Sequence, residues 1–507
     1  MPSKLYRPAL AIAVAFVSLL VCLVVIQPFV AAPVGFDAQA TVLYFDRIAS
    51  GTRLEQLLTT TPKPLLTIIY GLLHAATGDW RSLVWATIGV LAAASGLAAV
   101  VAARVAGNPT GFLVGLAVAA TPLLVADAAY ANAVPWALLG WVIAAILLGA
   151  DRPRPGAAGV VLALAALCRL ETLVLVGVGA VAFAWARFGP WPAILGQRPT
   201  PPPRAWLAIL IPFVALPIML IHDFLLTGNP LYWVDVSRRY SDAVRERTTI
   251  ATPGERTIWF VRRFLPLWPM ALAAAAGILV LVRRRAWLIL VGLAGMGPGI
   301  AAFIVLLAAR GTYAPERYAL PVDIAVAILA AFAAGRLVET IAGWAGRRWA
   351  GSATPMRAAL AFLLPIVALV VMNATRAGPF DGPLMRTIAD VRSTNEHLDR
   401  VLGLLRSRSG DGEGPPRWLV PSSVLPRTAV DLRVPLSRVG VVSDRVLDAD
   451  VPWLAEGQLV FFDRVAPASA ALRGLASRGR VPVGRFDFVP VLSNHEAGYW
   501  VYEVVAR

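Results

Sequence analysis

Apolar runs of bilayer-spanning length, about 17–25 residues each, recur through the first three quarters of the chain. They fall near 9–32, 82–104, 109–127, 131–150, 205–226, 266–282, 286–309, 318–335 and 358–374, with short polar connections between them. The stretch from Gly156 to Phe188 is different. As one helix its roughly 33 residues would measure roughly 50 Å, against a hydrocarbon core of roughly 30 Å. It also carries Arg169 and Glu171 at its middle. Two short helices meeting at a turn through Arg169–Glu171 fit better than one span. The pattern therefore predicts about eleven membrane segments, each helical because lipid leaves no backbone group a partner outside its own segment.

The pattern changes after about Gly378. A charged, helix-periodic segment runs from Pro383 to Arg408, and a Gly/Pro-rich loop follows at Gly410–Pro416. Short β-like runs come next, at Trp418–Val420, Val439–Val442, Leu459–Phe462, Val481–Leu492 and Tyr499–Val505, with an Ala-rich helix near Ala468–Ser477. The expected division is a transmembrane unit over 1–375, with outer loops 33–81 and 227–265, and a soluble α/β domain over 376–507. This second unit has no Gly-rich phosphate loop, metal-ligand cluster or nucleophile elbow in its sequence. It reads as a domain for packing or for positioning an acceptor.

Composition sharpens this picture. The chain is 58% hydrophobic and 15% charged, far from the roughly 25% charge of a soluble domain. An ordinary cytosolic enzyme and a disordered chain are both excluded. Net charge is +16, but the residues from Thr375 onward hold 17 arginines against 15 acids. Most of the excess thus lies in the apolar part, where basic loops report membrane topology rather than nucleic acid. Cys22 and Cys168 both sit in apolar runs and build neither a metal motif nor a disulfide framework.

Arg104, Asp151–Pro155, Arg187–Arg204, Arg283–Arg285 and Arg336–Arg357 fall on one side if spans alternate, as do Lys4 and Arg7. The positive-inside rule makes that side cytoplasmic. The loops 33–81, 227–265 and 310–317 and everything after about residue 375 are then expected outside. The first apolar run is too long for a signal-peptide core, so an uncleaved first span is expected.

Candidate chemistry gathers on the outer side. Asp37, in Gly35-Phe36-Asp37-Ala38-Gln39, follows the first span directly, where a carboxylate beside apolar surface suits a general base. Lys63 is one of only two lysines and stands between Pro62 and Pro64 at the start of an apolar segment. Held at headgroup level, it can meet a phosphate as a point charge or simply snorkel. Arg169 and Glu171 are two residues apart, so mutual pairing needs a turn. Otherwise each needs its own partner, and a structural pair and a substrate role both remain open. The loop from Arg310 to Pro321 places Arg310, Arg317 and Tyr318 at an outer mouth, and Arg238 and Arg239 form a second basic patch.

In this order the residues resemble the GT-C class of integral-membrane glycosyltransferases. That class includes the protein mannosyltransferases of family 39, the aminoarabinose transferases and actinobacterial cell-envelope transferases, and the resemblance covers roughly residues 1–375. Asp37 looks like the family's catalytic aspartate after the first span. Pro62-Lys63-Pro64-Leu65 resembles its Lys-Pro-Pro signature, and Leu167-Cys168-Arg169-Leu170-Glu171 its Arg-Pro-Glu. Gly228-Asn229-Pro230 resembles its Gly-x-Pro, and Arg317-Tyr318 with Pro321 its Arg-Tyr-x-x-Pro. There are departures. The usual Asp-Glu pair is Asp37-Ala38, and a further family aspartate corresponds to Asp127 or is lost to Asn132.

The resemblance implies inverting transfer of a sugar from a polyprenyl-phosphate-sugar donor to a hydroxyl of a glycan, lipid or protein at the outer face. Asp37 would act as base, with Lys63, Arg317, Arg310, Arg238 and Arg239 as phosphate partners and Arg169, Glu171, Asp127 and Tyr318 in support. No nucleotide cofactor or nucleic-acid partner is expected, and the departures leave open whether a divalent metal takes part. The implied location is the plasma membrane, with the N-terminus inside and the C-terminal domain outside. Two other readings are a lipid-linked glycan transporter or flippase and a non-catalytic envelope scaffold. A transporter predicts repeated halves and mid-membrane charges in several helices; this chain has no visible repeats, and its charges lie mainly at outer span ends.

Overall fold

The computed structural model describes residues 6–26, 34–54, 57–59, 61–190, 203–238, 254–255, 257–258, 261, 268–310, 316–348, 383–407, 417–442, 454–463, 480–494 and 498–507. The membrane part is helical. It begins with α1 (Tyr6–Ile26), α2 (Phe36–Ser50), α3 (Pro64–Thr77), α4 (Arg81–Ala106), α5 (Asn108–Ala119), α6 (Pro122–Ala129), α7 (Val134–Leu148), α8 (Pro155–Cys168) and α9 (Thr172–Phe188). It continues with α10 (Trp206–Thr227), α11 (Trp268–Arg283), α12 (Trp287–Ala309) and α13 (Leu320–Arg348). Four of these, α4, α10, α12 and the first 22 residues of α13, are long and apolar enough to cross a bilayer on their own. With the shorter apolar helices around them they make a multi-pass membrane protein.

The apolar run at 109–127 is not one straight span. Its two helices meet at 56°, because Pro122 cannot continue a helix begun upstream and starts a new one at its own first turn. Gly156 to Phe188 divides as its length and charges require, α8 ending at Cys168 and α9 starting at Thr172. In α12, Pro298 sits in a π-helical turn over Gly295–Gly299, where the missing N–H is accommodated. The apolar run at 358–374 lies outside the described residues.

Close packing of α1, α4 and α5 relies on small residues. A Cβ at Gly111 would stand 2.5 Å from the Ala99 carbonyl oxygen. Glycine is what allows the two backbones that approach, as in membrane helix pairs generally.

The C-terminal part holds α14 (Pro383–Ser407), α15 (Leu425–Leu432) and a six-stranded sheet. Its strands are β1 (Trp418–Val420), β2 (Val439–Val441), β3 (Leu459–Asp463), β4 (Val481–Val483), β5 (Phe486–Asn494) and β6 (Tyr499–Ala506). The order is β2-β1-β3-β6-β5-β4, with β1 parallel to β2 and β3 and the remaining neighbours antiparallel. The apolar run 481–492 is thus a hairpin, turning at Gly484 with φ +55°. The helix expected near Ala468–Ser477 lies outside the described residues. Period-2 alternation sorts the strands onto two cores. Trp418, Val420, Leu459, Phe461, Tyr499 and Val501 face one cluster, and Leu419, Val460, Phe462, Trp500 and Tyr502 the other.

The first of these cores is not confined to the C-terminal part. It also contains Ala40, Leu43 and Tyr44 of α2, Leu54 and Leu57 of the following loop, and Leu226 of α10. The sheet and its helices therefore stand directly on the segment that carries Asp37. Three polar contacts hold the join. The Arg47 guanidinium donates to the Val434 carbonyl at 2.7 Å, the Arg427 backbone N–H donates to Gln39 Oε1 at 3.3 Å, and the Trp80 indole donates to Asp431 at 3.1 Å.

Candidate active site

Asp37 lies in the first turn of α2, which Gly35 caps with an extended backbone. A carboxylate in that turn meets the positive end of the helix dipole. Gly35 is pinned in turn: its N–H donates to the Tyr130 carbonyl at 2.9 Å, and a Cβ there would come within 3.0 Å of that oxygen. Lys63 is the N-cap of α3 and Pro64 its first residue, where the absent N–H costs nothing. The two local structures bring the side chains together: Lys63 Nζ lies 3.1 Å from Asp37 Oδ2, with both side chains about seven-eighths buried.

Arg169 occupies the break between α8 and α9 in an extended conformation, and Glu171 starts α9. The turn lets residues two apart pair, which a continuous helix forbids. Arg169 Nη2 and Glu171 Oε1 are 3.2 Å apart and almost wholly buried. The guanidinium also stands over the Tyr318 ring at 5.5 Å, and the Tyr318 hydroxyl is 3.4 Å from that of Thr61. Tyr318 thus bridges the helix break to the Lys63 segment.

Asp127, in the last turn of α6, faces Asn132. The Asn132 amide donates to its Oδ1 at 2.9 Å and the Val134 N–H to its Oδ2 at 3.3 Å. The turn between them holds Ala131 at φ 55°, a left-handed conformation unusual for a residue with a Cβ.

All of these residues line one cavity of about 30 Å³, bounded by Asp37, Thr61, Lys63, Asp127, Asn132, Cys168, Arg169, Glu171 and Tyr318. By size its interior is room for one or two waters. Two cations and three carboxylates face each other across it. No group of three His, Cys, Asp or Glu side chains close enough to hold a metal ion occurs among the described residues.

Six of the sequence-selected residues therefore meet: Asp37, Lys63, Asp127, Arg169, Glu171 and Tyr318. Arg238 and Arg310 are exposed and do not border the cavity. Arg239 and the Arg317 side chain lie outside the described residues. Asp127 and Asn132 were alternatives on sequence alone; in the folded chain both line the cavity and bond each other.

Other residues escaped the sequence reading. Thr61 and Cys168 are neighbours of selected residues and carry no signal of their own. His222 and Asp223 had one, a His-Asp pair inside the apolar segment 205–226. His222 Nδ1 lies 3.2 Å from Asp223, His222 Nε2 lies 3.3 Å from the Thr67 hydroxyl in the first turn of α3, and Asp223 accepts the Trp233 N–H at 3.0 Å. The pair fixes the C-terminal end of α10 against the helix that Lys63 caps.

Comparison with known proteins places the fold. No family model and no curated sequence matches. Among solved structures, the Archaeoglobus fulgidus oligosaccharyltransferase tethered to an acceptor peptide with the NVT sequon is similar at 13% identity and a TM-score of 0.54, over 91% of this chain and 69% of that one. Its apo form is similar at 13% identity and a TM-score of 0.50, over 86% of this chain and 65% of that one. ArnT from Cupriavidus metallidurans bound to undecaprenyl phosphate superposes at 14% identity and a TM-score of 0.49, over 98% and 97% of the two chains. The chain has the fold of the GT-C integral-membrane glycosyltransferases. Its helical membrane part and small C-terminal sheet both fit that class.

Proposed function

We propose that this protein is a glycosyltransferase that moves one sugar from a polyprenyl-phosphate-sugar to a hydroxyl acceptor at the outer face of the plasma membrane. The observation that carries the reading is the Lys63–Asp37 contact inside a cavity also lined by Arg169 and Tyr318. Transfer to a hydroxyl needs a base beside the acceptor oxygen and positive charge beside the departing phosphate. The acceptor oxygen attacks the anomeric carbon, its proton passes to the Asp37 carboxylate, and the carbon–oxygen bond to phosphate breaks with inversion. The polyprenyl phosphate leaves with the electron pair.

An ammonium has three protons to donate. Lys63 can keep one on Asp37 and direct another at a phosphate oxygen, so a single residue holds base and leaving group in register. Arg169, its plane already set by Glu171 and Tyr318, supplies a second cation to the same space, and Arg317 is assigned beside it from the sequence pattern. The acceptor approaches from the C-terminal sheet, which rests on α2. In this reading residues 376–507 form the extracytoplasmic domain and the N-terminus is cytoplasmic.

The test is sugar transfer and donor affinity measured on the same purified Asp37→Asn protein in nanodiscs. Loss of a general base typically costs about 10²–10⁴-fold, so turnover falls by that much while donor binding survives. An Asp37→Asn protein that transfers sugar at near wild-type rate would sink the assignment. A transporter would lose binding and movement together or neither.

A further inference from the structure

The membrane helices border a second, open cavity of about 200 Å³, lined by Val101, Arg104, Ala145, Gly149, Arg285 and Trp287 among others. Its place follows from α7. That helix begins beside Ala133, which borders the candidate active site, and ends beside Gly149, which borders this cavity. Fifteen residues at 1.5 Å separate the two by ~22 Å, most of a hydrocarbon core. The two cavities thus open toward opposite membrane surfaces.

The chemistry of the second cavity is lopsided. Arg104, in the last turn of α4, and Arg285, between α11 and α12, are both exposed, and no acidic residue lines the space. Neither has an ion-pair partner among the described residues. The rest of the wall is apolar, from three helices and Trp287. Local backbone geometry decides which arginine of the Arg283–Arg285 run points here. The Ala286 N–H bonds the Leu281 carbonyl and the Arg285 N–H the Val282 carbonyl, both at 2.9 Å, which closes a Schellman turn. Arg285 takes the left-handed position at φ 54°, normally glycine's. The reversal brings Arg285 to the cavity and leaves Arg283 and Arg284 outside it.

We infer that this cavity binds the phosphate headgroup of an anionic membrane phospholipid, the two guanidiniums on the phosphate and the apolar wall against glycerol and upper acyl carbons. Charge complementarity selects the occupant. Two guanidiniums with no ion-pair partner among the described residues favour phosphate oxygens, and basic pockets between helices on the basic side of a membrane protein suit anionic headgroups. An open apolar wall continuous with the lipid-facing helices suits a lipid rather than a soluble anion. The inference does not depend on the catalytic reading, since no residue is shared between the cavities.

The experiment titrates the purified full-length protein in neutral detergent with phosphatidylglycerol, phosphatidylcholine or glycerol 3-phosphate, and follows thermal unfolding and bound lipid by native mass spectrometry. Phosphatidylglycerol is expected to raise the unfolding temperature and remain bound, while phosphatidylcholine and glycerol 3-phosphate do neither. The Arg104→Gln/Arg285→Gln protein should bind phosphatidylglycerol about tenfold more weakly. Arg283→Gln/Arg284→Gln removes the same charge outside the cavity and should bind as wild type. Equal weakening in both pairs, or equal retention of phosphatidylcholine, overturns the inference. If glycerol 3-phosphate stabilises as well as the lipid, the site takes a free phosphate and the lipid assignment fails. Should Arg104→Gln/Arg285→Gln not fold, Arg104→Gln alone, on a residue in ordinary helical backbone, gives the same reading with a smaller loss.

Discussion

The Lys63 ammonium lies 3.1 Å from the Asp37 carboxylate, although 26 residues separate them in sequence. Each side chain sits at the start of a helix, Asp37 in the first turn of α2 and Lys63 capping α3. The two helices pack on each other, so the pair meets where both begin. A carboxylate and a cation at this distance act as one unit, and changes to either are read through the other.

Lys63→Gln removes the cation and leaves the Asp37 carboxylate with one fewer donor. Donor affinity should fall by about 1–3 kcal/mol, the range for a lost charge-assisted contact. Turnover should fall as well, because Asp37 loses the group that orients it. Surface plasmon resonance with a polyprenyl phosphate checks the first and radiolabelled transfer the second. Unchanged affinity in a folded protein would return Lys63 to a purely structural pair with Asp37.

Arg169 and Glu171 form a nearly buried pair at the α8–α9 break. Removing one partner strands a charge in the cavity, whereas removing both does not. Arg169→Gln and Glu171→Gln should therefore each lower the unfolding temperature more than the double variant does. A double-mutant cycle is expected to return coupling of about 1–3 kcal/mol. Additive losses would mean that each residue acts through a separate partner.

Arg427 ties the C-terminal part to itself and to Gln39 and Trp80 of the helical part. It bonds Asn395, Asp399 and Asp431, and its guanidinium stands 5.5 Å from the Trp80 ring centroid. Arg427→Met keeps most of the volume but leaves the mostly buried Asp431 without its cation. The cost should be about 3 kcal/mol, seen as earlier unfolding of 383–507 in hydrogen exchange. The backbone N–H at position 427, which donates to Gln39 two residues from Asp37, survives the substitution, so donor Kd should stay near wild type.

Orientation is testable without activity. In a Cys22→Ser, Cys168→Ala background, a cysteine at the exposed position 456 (Glu456→Cys) should react with an impermeant maleimide in intact cells. One replacing Arg284, also exposed, should react only after lysis. The reverse pattern would put Asp37 on the cytoplasmic side and end the outer-face reading.

Much of the molecule was legible in the chain. Length and continuity of apolar runs dictated helices, since lipid offers the backbone no other partner. Charge at the centre of the 156–188 run required a break there, and the break is at Arg169–Glu171. Period-2 alternation marked the C-terminal strands, although the turn at Gly484 inside 481–492 was hidden by apolar residues on both sides. Asp37, Lys63, Asp127, Arg169, Glu171 and Tyr318 stood out because polar groups beside long apolar runs are few and expensive.

The tertiary structure decided what one-dimensional spacing does not contain, the distances between residues far apart in the chain. Asp37 touches Lys63, the Tyr318 ring lies against Arg169, and Asp127 bonds Asn132, all because helix packing sets which ends meet. Arg238 and Arg310 carry the same charge as Arg169 yet lie outside the cavity. Charge is a property of a residue; position depends on where its helix ends. The shared core of α2 with the C-terminal sheet was equally invisible, since Ala40, Leu43 and Tyr44 read only as apolar until Leu398, Trp418 and Phe461 closed over them. Sequence by itself marked the long apolar helices and the residues that are costly to hide among them; packing settled which of those costly residues share one site.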